Sequence, residues 1–220
     1  NPAVGRFSDL LISLGGTTIL TEVPEMFGAE SILLNRCIDR DVFHRAVTMI
    51  EDFKNYFTSH GQVVYENPSP GNKDGGITTL EDKSCGCVQK GGSAPIVDVL
   101  NYGDRVVKPG LNLLSGPGND LVSSTVLTAA GAHVILFTTG RGTPFGAPVP
   151  TVKISTNSAL AEKKCNWIDF NAGTVVDGEP LDVCGDRLLD YVLEVASGRK
   201  TNNERRGARE ISIFKDGVVL

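Results

Sequence analysis

No uninterrupted apolar run in this sequence approaches the roughly 20 residues that a bilayer-spanning helix needs, and the first residues carry no signal-peptide pattern. A membrane is therefore not an expected partner. Clustered positive charge is also scarce. Lys and Arg total 21 against 26 Asp and Glu, for a formal net charge of −5, so the dense basic surface that holds a polyanion is missing and no nucleic-acid role is expected. The one dense basic run, Arg199-Lys200 through Arg205-Arg206, reads as a polar loop or tail over residues 199–210. The Gly-x-Gly-x-x-Gly fingerprint is absent after the first apolar strand, and Gly71-Asn72-Lys73-Asp74-Gly75-Gly76 lacks the Gly-Lys-Ser/Thr ending of a phosphate loop, so no nucleotide cofactor is expected. Cys85-Gly86-Cys87 has a one-residue spacer, poor for structural zinc, and reads as small packing residues. Five cysteines form an odd set in a chain long enough to bury a core without staples, which fits reduced thiols in the cytoplasm. His44, His60 and His133 read as surface or strand-start residues rather than metal ligands.

What is present is an ordinary globular composition, 40% hydrophobic and 21% charged, with 25 glycines that fall mostly between apolar runs. Thr17 to Thr21, Ile96 to Leu100, Leu111 to Leu114, residues 133–138 and Thr151 to Ser155 read as strands. Their apolar runs are continuous rather than alternating, as in strands covered on both faces. Helical spacing of Phe43, Val47, Ile50, Phe53 and Phe57 predicts a helix from Asp41 to Phe57. Further helices are expected over Ser8 to Leu14, Ala29 to Arg36, Thr78 or Thr79 to Lys90, Leu121 to Ala130, Ser158 to Lys163 and Leu181 to Ala196. Ile211 to Phe214 reads as a terminal strand. Alternating strands and helices predict an α/β fold, a three-layer, Rossmann-like open and mainly parallel sheet with helices on both faces. The start at Asn1-Pro2, without Met and almost at once in an apolar stretch, suggests a piece of something larger.

The loop Thr138-Thr139-Gly140-Arg141-Gly142-Thr143 follows an apolar strand, at the sheet edge where α/β proteins collect ligands. Its glycines let backbone approach a carboxylate while the guanidinium grips it in bidentate fashion, so Arg141 is a candidate acid binder; a plain turn with an exposed arginine explains the same letters. Gly116-Pro117-Gly118-Asn119-Asp120 opens a helix and suits an anion or a structural turn. Glu22, Glu25 and Glu30 lie just past a strand end, where carboxylates can act as a base, hold a divalent cation or merely cap a helix. Lys153 sits on a central strand, where an unpaired lysine is costly, so it should reach a site or a carboxylate. Asn171-Ala172-Gly173-Thr174 is another polar strand-end loop.

Asn1-Pro2-Ala3-Val4-Gly5, residues 67–84, Thr138-Thr139-Gly140-Arg141-Gly142-Thr143-Pro144-Phe145-Gly146 and Trp167-Ile168-Asp169-Phe170-Asn171-Ala172-Gly173-Thr174 closely resemble the altronate and galactarate dehydratase family, nearer the altronate branch. L-sulfolactate sulfo-lyases share the same scaffold. The resemblance covers residues 1–220 as a single C-terminal domain. It implies a hydro-lyase that converts a sugar acid such as D-altronate or D-galactarate to a 2-keto-3-deoxy acid with a divalent metal, Fe2+ in the altronate case. It also implies an N-terminal region, including a Cys-Gly-Gly-Ser-Asp-like motif, that this chain does not carry, so the isolated fragment should be inactive. No metal ligand transfers to a numbered residue. For this chemistry Glu22, Glu25 and Lys153 are the catalytic candidates, and Asn72, Lys73, Thr139, Arg141, Thr143 and Asn171 the substrate-binding ones. The expected partners are a small-molecule sugar acid and the missing part of the polypeptide, with further copies of the chain left open. A sulfo-lyase acting on L-sulfolactate and a non-catalytic assembly domain are the alternatives.

Overall fold

A computed structural model describes residues 1–64, 73–74 and 76–217. All strand pairings among them are parallel, in two three-stranded sheets. The first holds β1 (Thr17–Leu20), β2 (Ile96–Leu100) and β3 (Gly110–Leu114) in the order β1-β3-β2. The second holds β4 (Ile135–Thr139), β5 (Thr151–Ser155) and β6 (Phe170–Asn171) in the order β4-β5-β6. The middle strands β3 and β5 are buried along their whole length, which is why their sequences are apolar or small on both faces except at Asn112 and Lys153.

Helices cover both faces. Long α3 (Arg40–Ser59) starts where the Asp39 side chain accepts the Val42 amide at 2.8 Å, satisfying one of the otherwise unpaired first-turn donors. Its Val42, Ala46, Met49, Ile50 and Phe53 are buried and pack with Ile96, Leu111 and Leu113 of the first sheet. Burial of each larger side chain contributes about 1.5–3 kcal/mol. Phe43, expected in that stripe, is 39% exposed, because the buried face runs through Val42 instead. Short α2 (Glu30–Leu34) and α4 (Leu80–Val88) join this layer. On the opposite face, α5 (Asp120–Ala130), capped by Asn119, places Val126 and Ala130 against Leu100 and Leu114.

The second sheet packs Val152 and Ile154 against α1 (Pro2–Ser13) and α7 (Leu181–Ala196). α1 begins six residues before the expected Ser8, since Pro2 occupies the first turn, where its missing N–H costs nothing. Ser8 is therefore not a cap; it is buried and donates to Thr18 Oγ1 at 3.1 Å. α1 and α7, the first and last long helices, pack directly together. Short α6 (Ser158–Lys163) follows β5. The stretch read as a polar loop or tail instead forms α8 (Asn202–Arg205), with Thr201 and Asn203 buried by their mutual hydrogen bond at 2.8 Å and by contact with β5. Residues 211–214 form no strand; Ile211 and Ile213 stay exposed.

Candidate active site

β1 ends at Leu20, and Thr21 ties its exit to β3 by donating to the Leu114 carbonyl at 3.0 Å. The next residue, Glu22, has φ 67° and ψ 62° and is the only non-glycine with positive φ among the described residues. Left-handed backbone at a carboxylate costs on the order of 1–3 kcal/mol and persists where the surroundings over-determine it. Here the Val23 amide is held by the Gly116 carbonyl at 2.9 Å, and the Glu25 amide by the Glu22 carbonyl at 2.8 Å. The resulting 3-10 turn, Val23–Met26, carries Pro24 and turns Glu22 and Glu25 toward one place.

That place is one end of a cavity of about 580 Å3, within the usual range for small-molecule sites. Glu22, Glu25, Cys87, Lys90, Asp120 and Ser123 line its polar end. Cys87 comes from α4 and Lys90 from the turn just after it, while Asp120 and Ser123 come from the first turn of α5. Glu25 pairs with Lys83 at 2.8 Å and accepts from the Cys87 thiol at 2.9 Å. Ser123 donates to Glu22 at 3.4 Å.

The charges here are interdependent. Burial, then the neighbouring Glu25, pushes Glu22 up to about 7. Burial also pushes Glu25 upward, but Lys90, the Cys87 thiol and Lys83 outweigh it and hold that carboxyl below its ordinary value. Burial likewise raises Asp120 and pushes the Cys87 thiol up to about 12, so the thiol is neutral and acts as a donor. Burial opposes the charge on Lys90, yet Glu22, Cys87, Glu25 and Asp120 together keep its ammonium above the ordinary range. The cluster therefore offers a fixed cation beside a carboxyl poised near neutrality, the pair that proton abstraction next to a carboxylate needs.

Among the described residues no three His, Cys, Asp or Glu side chains are grouped to hold a metal ion. The Lys90 ammonium, surrounded by the acids, also competes with a divalent cation for them. The described residues on their own do not fit a divalent metal.

Of the sequence candidates, Glu22 and Glu25 meet in this cavity and the others do not. Asn72 lies outside the described residues. Lys73 is exposed. Thr139 accepts the Gly142 amide at 2.8 Å and Thr143 the Phe145 amide at 3.3 Å, so both hydroxyls close their own loop. That closure turns Arg141 outward: its side chain is 76% exposed, 3.8 Å from the Asp74 carboxylate, and outside the cavity lining. Asn171 accepts from Ser155 and the Gly173 amide and donates to Ser158, fixing the loop after β6. Lys153 is fully buried and its Nζ has no hydrogen-bond partner among the described residues. Alternation along β5 sends it to the face opposite Val152 and Ile154. The expected convergence of Arg141, Lys153 and Asn72 with Glu22 is thus not what the fold brings together. Sequence reading missed Lys90, Cys87, Asp120 and Ser123. The spacing Lys83, Cys87, Lys90, at intervals of four and three, was the available sign that one helix side carries all three.

The family profile for D-galactarate/Altronate dehydratase, C-terminal, matches residues 1–219. The chain is 59% identical to altronate dehydratase of Escherichia coli K12 over its full length, which is 44% of that protein. Identity to altronate dehydratase of Bacillus subtilis 168 is 58%, again over the whole chain and 44% of the relative. Galactarate dehydratase (L-threo-forming) of Escherichia coli K12 is 40% identical over the whole chain and 43% of its own length. The chain spans less than half the length of these relatives, and the match is to their shared C-terminal region. It belongs to the D-galactarate/altronate dehydratase family, as that family's C-terminal part.

Proposed function

We propose that this chain is the C-terminal part of a sugar-acid hydro-lyase that dehydrates a substrate such as D-altronate or D-galactarate to a 2-keto-3-deoxy acid. The observation that carries the reading is Glu22: half-buried at a strand end in left-handed backbone, pushed up to about 7, within the field of Lys90. A base for carbon acids works best with a pKa near the working pH. Glu22 takes the proton α to the substrate carboxylate, and Lys90 neutralises the charge that develops on the carboxyl oxygens. The β C–O bond then breaks, its hydroxyl leaves as water with that proton, and the enol left behind tautomerises to the 2-keto acid. Ser123 orients Glu22, while the Lys83 pair and the Cys87 thiol hold Glu25 ionised and in place. Lys90 and Lys83 replace Arg141 and Lys153 as the cations of this reading. A divalent metal, Fe2+ by the resemblance, enters it only with ligands drawn from outside the described residues, and no step here runs through one. The five free thiols suit a reducing, cytoplasmic setting, and no helix among the described residues is long and apolar enough to cross a membrane.

The test is turnover of altronate and galactarate by the polypeptide extended to its relatives' length. Glu22→Gln should lower kcat by about 10²–10⁴ with KM nearly unchanged, as for loss of a general base. The wild-type rate should fall as pH drops through about 7, where Glu22 gains its proton. Wild-type kcat in Glu22→Gln removes Glu22 as the base. Scoring the same panel with L-sulfolactate, for keto acid and for sulfite, separates loss of water from loss of sulfite.

A further inference from the structure

The cavity that ends at Glu22 has an unusual frame. Its two sides are strand edges: residues 16–22 of β1 and the turns beside it, and residues 131–138 leading through β4. Among the described residues β1 pairs only with β3 and β4 only with β5, so the edge each turns to the cavity carries no ladder. Its floor and roof are helices already in place. Val4, Phe7 and Leu11 of α1 cover one face, and Ser124 and Leu127 of α5 the other. Parallel strands occur almost only inside sheets covered on both faces, and two open parallel edges facing one apolar slot are a pairing template. Along both edges most residues are only partly buried, and an occupant that covered them would have to pair their N–H and C=O groups, as folded proteins do.

We propose that this slot seats an extended apolar segment, four or five residues long, from the portion of the polypeptide that relatives carry outside the matched region. The relatives are more than twice as long as this chain, which covers 44% of them, so such a segment has a source. It pairs with β1 on one side and β4 on the other, by the same backbone recognition as β-strand addition. The two three-stranded sheets then become one, in the order β2-β3-β1-segment-β4-β5-β6. Running parallel to its neighbours, the segment spans roughly 15 Å and leaves the slot at Glu22 and Thr138. The residues that follow it are delivered to the acid and lysine cluster, at the point where strand order reverses and α/β proteins bind ligands. The strand pairing itself does not depend on the reaction proposed above.

Hydrogen exchange on the extended polypeptide reads the pairing without any activity assay. All amides of β1 and β4 should be protected to within about tenfold of those in β3 and β5. Fast exchange at alternate β1 and β4 amides, with β3 and β5 still protected, overturns the proposal. A photo-crosslinking benzoylphenylalanine in place of Leu11 then identifies the occupant. Capture of a peptide from outside the 220 residues is the expected result. Capture confined to peptides within them, despite protected edges, assigns the slot to the domain itself and overturns the proposal as well.

Discussion

Replacing Lys153 by Met should stabilise this protein, although Lys153 lies in the middle of a central strand. The side chain is fully buried and its Nζ meets no hydrogen-bond partner among the described residues. Burial pushes the amine from 10.5 down to about 8, with Asp169 opposing that shift and Arg206 adding to it. The unfolded chain binds this proton up to the ordinary lysine range, whereas the folded chain releases it near 8, so stability rises with pH between those values. At about 1.4 kcal/mol per pH unit, the interval from about 8 to 10.5 corresponds to about 3 kcal/mol of destabilisation at neutral pH. Met keeps the length and loses the charge. Guanidinium titrations at pH 7, 8, 9 and 10 should find Lys153→Met more stable by about 2–3 kcal/mol at pH 7, the gap narrowing steadily above pH 8. A variant less stable than wild type at pH 7, with a gap independent of pH, would mean that the amine has a partner and the reasoning fails.

Three further outcomes follow from the site. Lys90→Met removes the cation that holds Glu22 down, so the acidic limb of the pH–rate profile should move to higher pH, and an unmoved limb would separate Lys90 from Glu22. Glu22→Gly removes both a half-buried carboxyl and left-handed strain; denaturation should show a gain of about 1 kcal/mol, with turnover abolished. Arg141→Ala should shift stability by less than about 0.5 kcal/mol and leave KM within about twofold, because the side chain is mostly in water outside the cavity. A tenfold rise in KM would return Arg141 to the substrate.

The parts of the fold written in local patterns were legible. Largely continuous apolar runs marked Ile96 to Leu100 and Leu111 to Leu114, the second one residue short of the observed Gly110–Leu114, since strands buried on both faces need them. The three- and four-residue recurrence marked α3, though one residue out of phase at Phe43. The early start of α1 was hidden because Ser8 looks like a cap, and only contact with Thr18 shows it to be interior. Ile211 and Ile213 alternate with polar residues as a strand should, but no neighbouring edge pairs with them. In the site, Glu22 and Glu25 were visible from their position after a strand. Cys87 and Lys90 were not, because they reach those carboxylates only through packing of α4 and the turn after it against a turn some 60 residues earlier. For Arg141 the glycines announced a turn; the Thr139 hydroxyl that aims it outward acts through folded geometry.

The pairing of α1 with α7 has a bearing on how the chain is made. The ribosome releases α1 (Pro2–Ser13) roughly 180 residues before α7 (Leu181–Ala196) is complete, on the order of 10–40 s at ordinary elongation rates. Throughout that interval Val4 and Phe7 lack the surface that finally shelters them. Within this region α1 is thus the helix whose apolar side waits longest for cover, and the emergence of α7 ends that exposure.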